Sequence, residues 1–471
     1  LLPLPAQAGD PELVWRSVET THFRITYHEP LGRVAQRLAR ITELAHAALA
    51  PVLLHSPRFR TEVLITDDTD YSNGSATALP FPTVRLYLTA PDDRSELNDY
   101  DDWLYALFVH EYTHILHLDT VNGAPKWVNY LLGLGVNTLY APNQIQPRWF
   151  IEGLAVFEET ERTSAGRLRS TLFDMYLRSH VLEGKFLRLD QVTNQTRLFP
   201  RGNVPYLYGS AFLRFLAGRF GEQTLQKISH RYGGCWSPDC WVPWGLNRVL
   251  RKLTGATYGP LYDDFAQSLK DRYTAQQQQL AQQPLGLTVG VPQSDWKLSV
   301  DRPVFTDGGR TLLWLDSDPY QRPALWRQSV ANLTTGAVAK RPHFGATVDV
   351  ELDGVSGLSV SSDGKTVVMA RLRLFRSMFA YQDLVLYRRD RREMVPLTEG
   401  LRVDNPALSP DGKLVAFEVN ALGTRRLGVM PLPDAKTSHK ATLIDPRAQL
   451  VPEVWRARAA QKVSFPLPQR E

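Results

Sequence analysis

The sequence predicts an α+β domain over residues 9–284 followed by an all-β domain of propeller type over residues 285–471. Three observations carry this. Up to residue 283, short stretches with period-two alternation are mixed with long stretches of helical period. A Gln-rich helix tail, Thr274-Ala-Gln-Gln-Gln-Gln-Leu-Ala-Gln-Gln, then stops at Pro284. Beyond it, Phe305-Thr-Asp-Gly-Gly, Ser361-Ser-Asp-Gly-Lys and Ser409-Pro-Asp-Gly-Lys repeat, each followed by an apolar strand. Asp307, Asp363 and Asp411 are spaced by 56 and 48 residues, and a decayed fourth copy ends in Val463-Ser-Phe465, 48 beyond Phe417. A period of about 45–50 residues with four strands per unit is that of a propeller. Three to four recognisable blades are at the low end of what closes a ring. The chain is therefore expected to stop short of the full-length protein, or to have its ring completed by another piece.

The first domain reads in order as follows. Residues 14–28 alternate as an opening strand, with Phe23, Ile25 and Tyr27 on one side. Residues 32–54 are Ala/Leu-rich and helical, and 60–66 read as a strand. A small-residue turn over 70–80 leads to a strand at 83–89. The run Trp103-Leu-Tyr-Ala-Leu-Phe-Val109 is apolar enough for a buried helix, with Asn98, Asp99 or Asp101 as its cap. Residues 122–147 space Trp127, Leu131, Leu132, Leu134, Leu139 and Tyr140 with glycines and asparagines, which suits a covering loop or a core excursion. Residues 148–159 form a second helix, 150–275 are mostly helical, and the last helix runs from about 261 to 283.

The chemistry centres on His110-Glu-Tyr-Thr-His114-Ile-Leu-His117-Leu-Asp119. His110 and His114 stand one turn apart, about 40° around a helix and about 6 Å along it. Both imidazoles thus leave one face, and Glu111 between them is placed to take a proton from water. This is the H-E-x-x-H arrangement of zinc hydrolases. A catalytic zinc needs a third protein ligand and an open fourth position. The continuation H-x-x-G-x-x-H is missing, which excludes the metzincin branch. The better candidate is Glu152 in Arg148-Trp-Phe-Ile-Glu-Gly-Leu-Ala-Val-Phe-Glu-Glu159, where Gly153 permits close helix approach. His117 shares the face of His110 and reads as a pocket histidine, the nearby competitor for the ligand role. Asp119 and Glu158 read as helix-end or solvated carboxylates. Glu159, seven residues after Glu152 on the same face, is the candidate partner for a ligand imidazole.

These segments together resemble the gluzincin side of the zinc peptidases, the bacterial peptidase MA-like group. The resemblance covers roughly residues 14–275. It implies one zinc ion held by His110, His114 and Glu152, with Glu111 as general base. Val204-Pro-Tyr-Leu-Tyr-Gly-Ser-Ala-Phe212 is similar to the V-P-Y-x-x-G segment of gluzincin aminopeptidases, whose tyrosine steadies the tetrahedral intermediate. That match falls on Tyr206, with Tyr208 as the alternative. The G-A-M-E-N segment of those aminopeptidases is absent, so their amino-terminal specificity is not implied. In peptidases of this type a strand beside the active-site helix pairs with extended substrate, and residues 75–88 are the candidate edge, or else a plain hairpin. The S-P-D-G-K form resembles TolB-like propeller repeats. The expected function is an exported zinc peptidase acting on a peptide or protein, with the propeller selecting substrate, docking a protein partner or serving as a platform. The alternatives are a propeller-based binding or scaffold protein whose zinc site is vestigial or structural, and a zinc hydrolase of a non-peptide bond.

Composition bounds these readings. The 471 residues are 43% hydrophobic and 22% charged, enough to bury a large core. A net charge of +5, dispersed along the chain, gives no nucleic-acid footprint. The clusters Arg371-Leu-Arg-Leu-Phe-Arg376 and Arg388-Arg-Asp-Arg-Arg392 read as solvated loops or strand edges. No apolar stretch is long enough for a transmembrane segment. The opening Leu1-Leu-Pro-Leu-Pro-Ala-Gln-Ala8 is similar to a signal-peptide tail cut after Ala8, which points to export into a bacterial periplasm or beyond. Cys235 and Cys240, across a Ser-Pro-Asp turn, are candidates for a local disulfide in that setting.

Overall fold

The computed structural model describes residues 12–432 apart from 94, 133–140, 194–195, 237–244, 284–298, 319–320, 331–345, 353 and 376–377. Residues 1–8, read as the tail of a signal peptide, Cys240, Arg376 and residues 463–465, read as the end of a fourth repeat, thus lie outside the described residues, as does part of the 122–147 segment. The chain divides into two compact units. One lies within 11–66 and 72–284; the other combines Asp67–Tyr71 with the residues from 285 onward.

The first unit opens with a hairpin of β1 (Trp15–Glu19) and β2 (Phe23–His28). The sequence reads this stretch as one strand. It breaks at Thr20, whose backbone and hydroxyl bond Phe23 across the turn. Helix α1 (Gly32–Leu53) follows, then β3 (Thr61–Thr66), β4 (Gly74–Thr77) and β5 (Thr83–Tyr87). The sheet order is β1-β2-β3-β5-β4, so β4 is an edge strand and β5 is interior. β2, β3 and β5 run parallel, while β4 is antiparallel to β5. Alternate residues Phe23, Ile25, Val63, Ile65, Val84 and Leu86 point into the core. Ala35, Leu38, Ala45 and Leu49 of α1 are fully buried at helical spacing.

Helix α2 (Trp103–Leu118) is apolar on nearly every side and buried from Trp103 to His117 except at Tyr105. Its cap is Asp102, whose carboxylate accepts from Tyr105 N at 3.4 Å, in place of the three residues the sequence offers. Phe108 and Tyr112 pack edge-on against Phe23 of the sheet. The segment read as a covering loop contains α3 (Gly123–Leu132) and a 3-10 turn at Pro142–Ile145. Then come α4 (Arg148–Arg162), a 3-10 turn at Arg167–Arg169, α5 (Thr171–Leu182), α6 (Leu189–Thr193) and α7 (Val204–Phe220). The unit ends with α8 (Gln223–Gly233), α9 (Gly245–Thr254) and α10 (Tyr258–Leu280). Trp149, Phe212, Tyr262 and Phe265 cluster in tilted and edge-on contacts between α4, α7 and α10. No helix among the described residues is long and apolar enough to cross a membrane.

The second unit contains three consecutive antiparallel sheets. β6 (Ser299–Thr306), β7 (Thr311–Asp318), β8 (Gln321–Ser329) and β9 (Ala346–Glu351) form the first. β10 (Val355–Val360), β11 (Thr366–Phe375), β12 (Phe379–Arg388) and β13 (Glu393–Pro396) form the second. β14 (Val403–Leu408), β15 (Leu414–Ala421) and β16 (Thr424–Pro431) form the third. Leu313, Leu325, Val367 and Met369 make one apolar layer, and Val368, Leu384, Val415 and Phe417 the next. The repeated turns are one device used twice. Asp363 Oδ1 accepts from Ser361 Oγ at 2.7 Å and from Lys365 N at 3.0 Å, and Asp411 repeats this with Ser409 and Lys413. The segment Asp67–Tyr71 is held within this unit by the buried guanidinium of Arg402, 2.8 Å from both Asp67 and Asp70.

Candidate metal centre

Helices α2 and α4 bring His110, His114 and Glu152 together. His114 Nε2 lies 3.3 Å from His110 Nε2 and 3.2 Å from Glu152 Oε2, and the third edge, His110 Nε2 to Glu152 Oε2, is 3.8 Å. A tetrahedral zinc with bonds of about 2.0–2.2 Å sets its donors about 3.3–3.6 Å apart, so the triangle has the size of one face of such a site. Glu152 Oε2 is buried and meets no hydrogen-bond donor in good geometry, although both imidazole Nε2 atoms stand near it. Burial opposes charge on Glu152, but the imidazoles of His110 and His114 hold its carboxyl well below the usual range. The donor set of two imidazoles and one carboxylate suits zinc. Among the described residues these three form the group of possible metal ligands, which leaves a fourth position open.

Two close approaches build this geometry. The first joins α4 and α7. A Cβ on Gly153 would stand 2.5 Å from the backbone carbon of Gly209, and one on Gly209 would stand 2.0 Å from Trp149 O. Backbone therefore meets backbone there, next to Glu152 and one turn from Tyr206. The second joins α2 and the edge strand. A Cβ on Gly74 of β4 would lie 2.8 Å from Glu111 Oε1 and 2.9 Å from Leu107 Cδ1. Glu111 is itself buried, and burial raises its carboxyl pKa against the opposing pull of His110 and His114.

Around the triangle, His110 Nδ1 faces Glu159 Oε2 at 3.1 Å, which leaves Nε2 toward the ligand position. Burial opposes charge on Glu159, yet Arg167 and His110 outweigh it and hold the carboxyl down at about 2. The ring of Tyr206 stacks on His110 with centroids 6.2 Å apart. Its hydroxyl accepts from Arg148 Nη2 at 3.4 Å, while Arg148 Nε donates to Glu152 Oε1 at 3.3 Å.

The other sequence candidates lie elsewhere. Tyr208 points to the far side of α7, where its hydroxyl meets His180 Nδ1 at 2.6 Å and receives Leu187 N at 3.2 Å. His117 packs toward α8, with Nδ1 2.8 Å from Ser229 Oγ, and burial pushes its pKa down to about 3. Asp119 pairs with His55 at 2.8 Å and Glu158 with Arg162 at 3.0 Å. Cys235 is disulfide-bonded. Three groups at the site escape the sequence reading: Arg148, Arg167 and Gly74. Arg148 carries a signal, since it stands four residues before Glu152 on one helix. Arg167 and Gly74 carry none, because their partners lie on other elements.

No protein-family model matches the chain. An uncharacterized protein of Treponema pallidum (strain Nichols) is 25% identical over 213 residues, which are 45% of this chain and 18% of that one. This chain therefore spans less than a fifth of that curated relative. Solved structures with partial likeness include TolB from Acinetobacter baumannii, at 17% identity and TM-score 0.24 over 31% of this chain and 32% of that one. Oligogalacturonate lyase from Vibrio parahaemolyticus aligns at 10% identity and TM-score 0.25 over 31% and 38%. The β-propeller domain of the Trilobed protease from Pyrococcus furiosus aligns at 8% identity and TM-score 0.21 over 29% and 39%. Likenesses of this extent carry no argument about the fold or activity of this chain.

Proposed function

We propose that this chain is a zinc-dependent peptidase in which His110, His114 and Glu152 hold the ion and Glu111 is the general base. The observation that carries the reading is the triangle of donor atoms, 3.2–3.8 Å on a side, with a buried Glu152 oxygen and the Glu111 carboxylate in the same buried turn of α2. Three donors with an open fourth position favour catalysis over a structural site, which closes with four. Bound zinc supplies Lewis acidity, lowering the pKa of a coordinated water to about 7 and polarising a carbonyl. Glu111 takes the proton of the attacking water and delivers it to the leaving amine. Tyr206 donates its hydroxyl to the developing oxyanion, with Arg148 beside it adding positive charge.

An observation on the edge strand favours a peptide over another hydrolysable bond. Among the described residues β4 pairs with β5 alone, so its outer edge offers backbone N–H and C=O groups to an extended chain. One face of that strand meets Glu111 at Gly74. Export is part of the proposal, supported by the disulfide at Cys235, a bond that oxidising compartments sustain. The propeller-type repeats would restrict substrate or dock a partner protein.

The test is Glu111→Gln. Its zinc content should equal that of wild type, while hydrolysis of unfolded casein falls by several orders of magnitude. Wild-type turnover by the zinc-loaded variant ends the mechanism, and a wild-type protein without stoichiometric zinc ends the reading of the site.

A further inference from the structure

We propose that Arg167 is a positioning residue of this centre, one buried guanidinium that sets both the carboxylate orienting His110 and the ring of Tyr206. The inference rests on the reading above for what those two groups do.

Arg167 is 6% exposed and belongs to the 3-10 turn that follows α4. It grips Glu159 at several points: Nη2 to Oε2 at 2.5 Å, Nε to Oε2 at 3.2 Å, and its backbone N to Oε1 at 3.2 Å. Both carboxylate oxygens are thus fixed by one residue. Nη2 also lies 2.7 Å from His110 Nδ1. That nitrogen and the guanidinium are both donors when His110 presents Nε2 to an ion, so Glu159 Oε2 is the acceptor the two share. On its face, Arg167 Cζ stands 5.1 Å from the Tyr206 ring centroid, and that ring stacks on His110. The half-exposed Arg148 approaches the same ring at 5.8 Å.

The choice of arginine follows from this geometry. A carboxylate buried alone is costly, and Glu159 is buried. Any cation would supply the counter-charge. Only a planar fork can bind the carboxylate at two nitrogens and lay a face along an aromatic ring. A lysine keeps the charge and loses both. Arg167→Lys therefore separates charge balance from positioning.

The experiment uses the full chain and measures zinc affinity by competition with a chromophoric chelator. Circular dichroism and thermal unfolding of the metal-free proteins monitor the fold. Arg167→Lys should weaken zinc about 10- to 100-fold with the fold retained, and Glu159→Gln should do the same. Because both act on His110 through one route, the double variant should be no weaker than the worse single variant. Arg167→Lys should also lower kcat on casein with KM little changed, as expected when Tyr206 is displaced. Wild-type zinc affinity in folded Arg167→Lys overturns the proposal, and so do additive losses in the double variant. Should Arg167→Lys fail to fold, the neutral pair Arg167→Met with Glu159→Gln is compared with Glu159→Gln alone; equal zinc affinity with a further fall in kcat supports the proposal, and a further loss of zinc affinity or an unchanged kcat overturns it. A wild-type protein that takes up no zinc removes the site reading and this inference together, whereas a zinc-binding wild type with an insensitive Arg167→Lys removes this inference alone.

Discussion

Gly74→Ala places one methyl group where the proposed base is confined. The new Cβ would stand 2.8 Å from Glu111 Oε1, 3.0 Å from Glu111 Cγ and 2.9 Å from Leu107 Cδ1. Carbon contacts are comfortable from about 3.5 Å, so the carboxylate or the strand must yield by roughly half an ångström or more. Leu107 and Glu111 are one helical turn apart and both face β4, so moving one side chain does not relieve the other. The overpacking should cost about 1–3 kcal/mol of stability. The catalytic cost should be larger in proportion, because such groups must sit within about 0.5 Å of their productive geometry and a 1 Å misplacement can cost about 100-fold. We expect kcat on casein to fall about 10- to 100-fold with zinc content unchanged, since no ligand touches Gly74. Ser75→Ala is the control, because Ser75 is exposed on the opposite face of the strand and should be neutral. A Gly74→Ala protein with kcat within about twofold of wild type would refute the claim that β4 confines Glu111.

Three further outcomes are expected. Tyr206→Phe should lower kcat about 100-fold or more with KM and zinc content little changed, while Tyr208→Phe, which strips His180 and Leu187 N of their buried partner, should lose about 1–3 kcal/mol of stability in urea unfolding and keep kcat. Glu152→Ala should lose stoichiometric zinc by metal analysis, whereas His117→Ala should keep it and unfold more readily, having left Ser229 unpaired; the reverse pattern would put the ligand in the wrong helix. Burial pushes the Glu158 carboxyl up from 4.5 to about 7, with Arg162 opposing. The folded protein then binds more protons than the unfolded chain between those values, so this group's contribution is full below about pH 4.5 and is lost as pH rises through 7, on the order of 3 kcal/mol in all. Glu158→Gln should flatten the dependence of urea-unfolding stability on pH across that window; an unchanged slope counts against it.

What could be read from the sequence is what regular elements expose. The apolar run before His110 and the one-turn spacing of the two histidines are helix signals, and α2 runs through both stretches. Gly153 reads as a point of close approach, and the backbone of Gly209 meets it there. The Asp-Gly turns precede strands at β7, β11 and β15 because the aspartate in two of them closes its own turn locally. The hairpin at β1 and β2 is hidden because Thr20-Thr-His22 contains no glycine, proline, asparagine or aspartate, and its threonines continue a strand pattern. Helix α3 is hidden because Gly123, Pro125 and Asn129 fall within its ten residues. Arg167 is illegible for a different reason. Its partners Glu159, His110 and Tyr206 are brought to it by three separate elements, so no local pattern marks it.

The glycine-to-glycine crossing of α4 and α7 also bears on which ions the centre can admit. Where side chains separate two helices, rotamer changes let the gap widen by fractions of an ångström. Here the main chains already touch, so α4 can move Glu152 only by shifting as a rigid rod against a packed core. A calcium ion asks for six to eight oxygen ligands at about 2.3–2.6 Å, a larger and more pliant shell than two imidazoles and one clamped carboxylate can form. Selectivity for a small ion with few ligands would then be a mechanical property of the helix crossing as much as a chemical one of the donors.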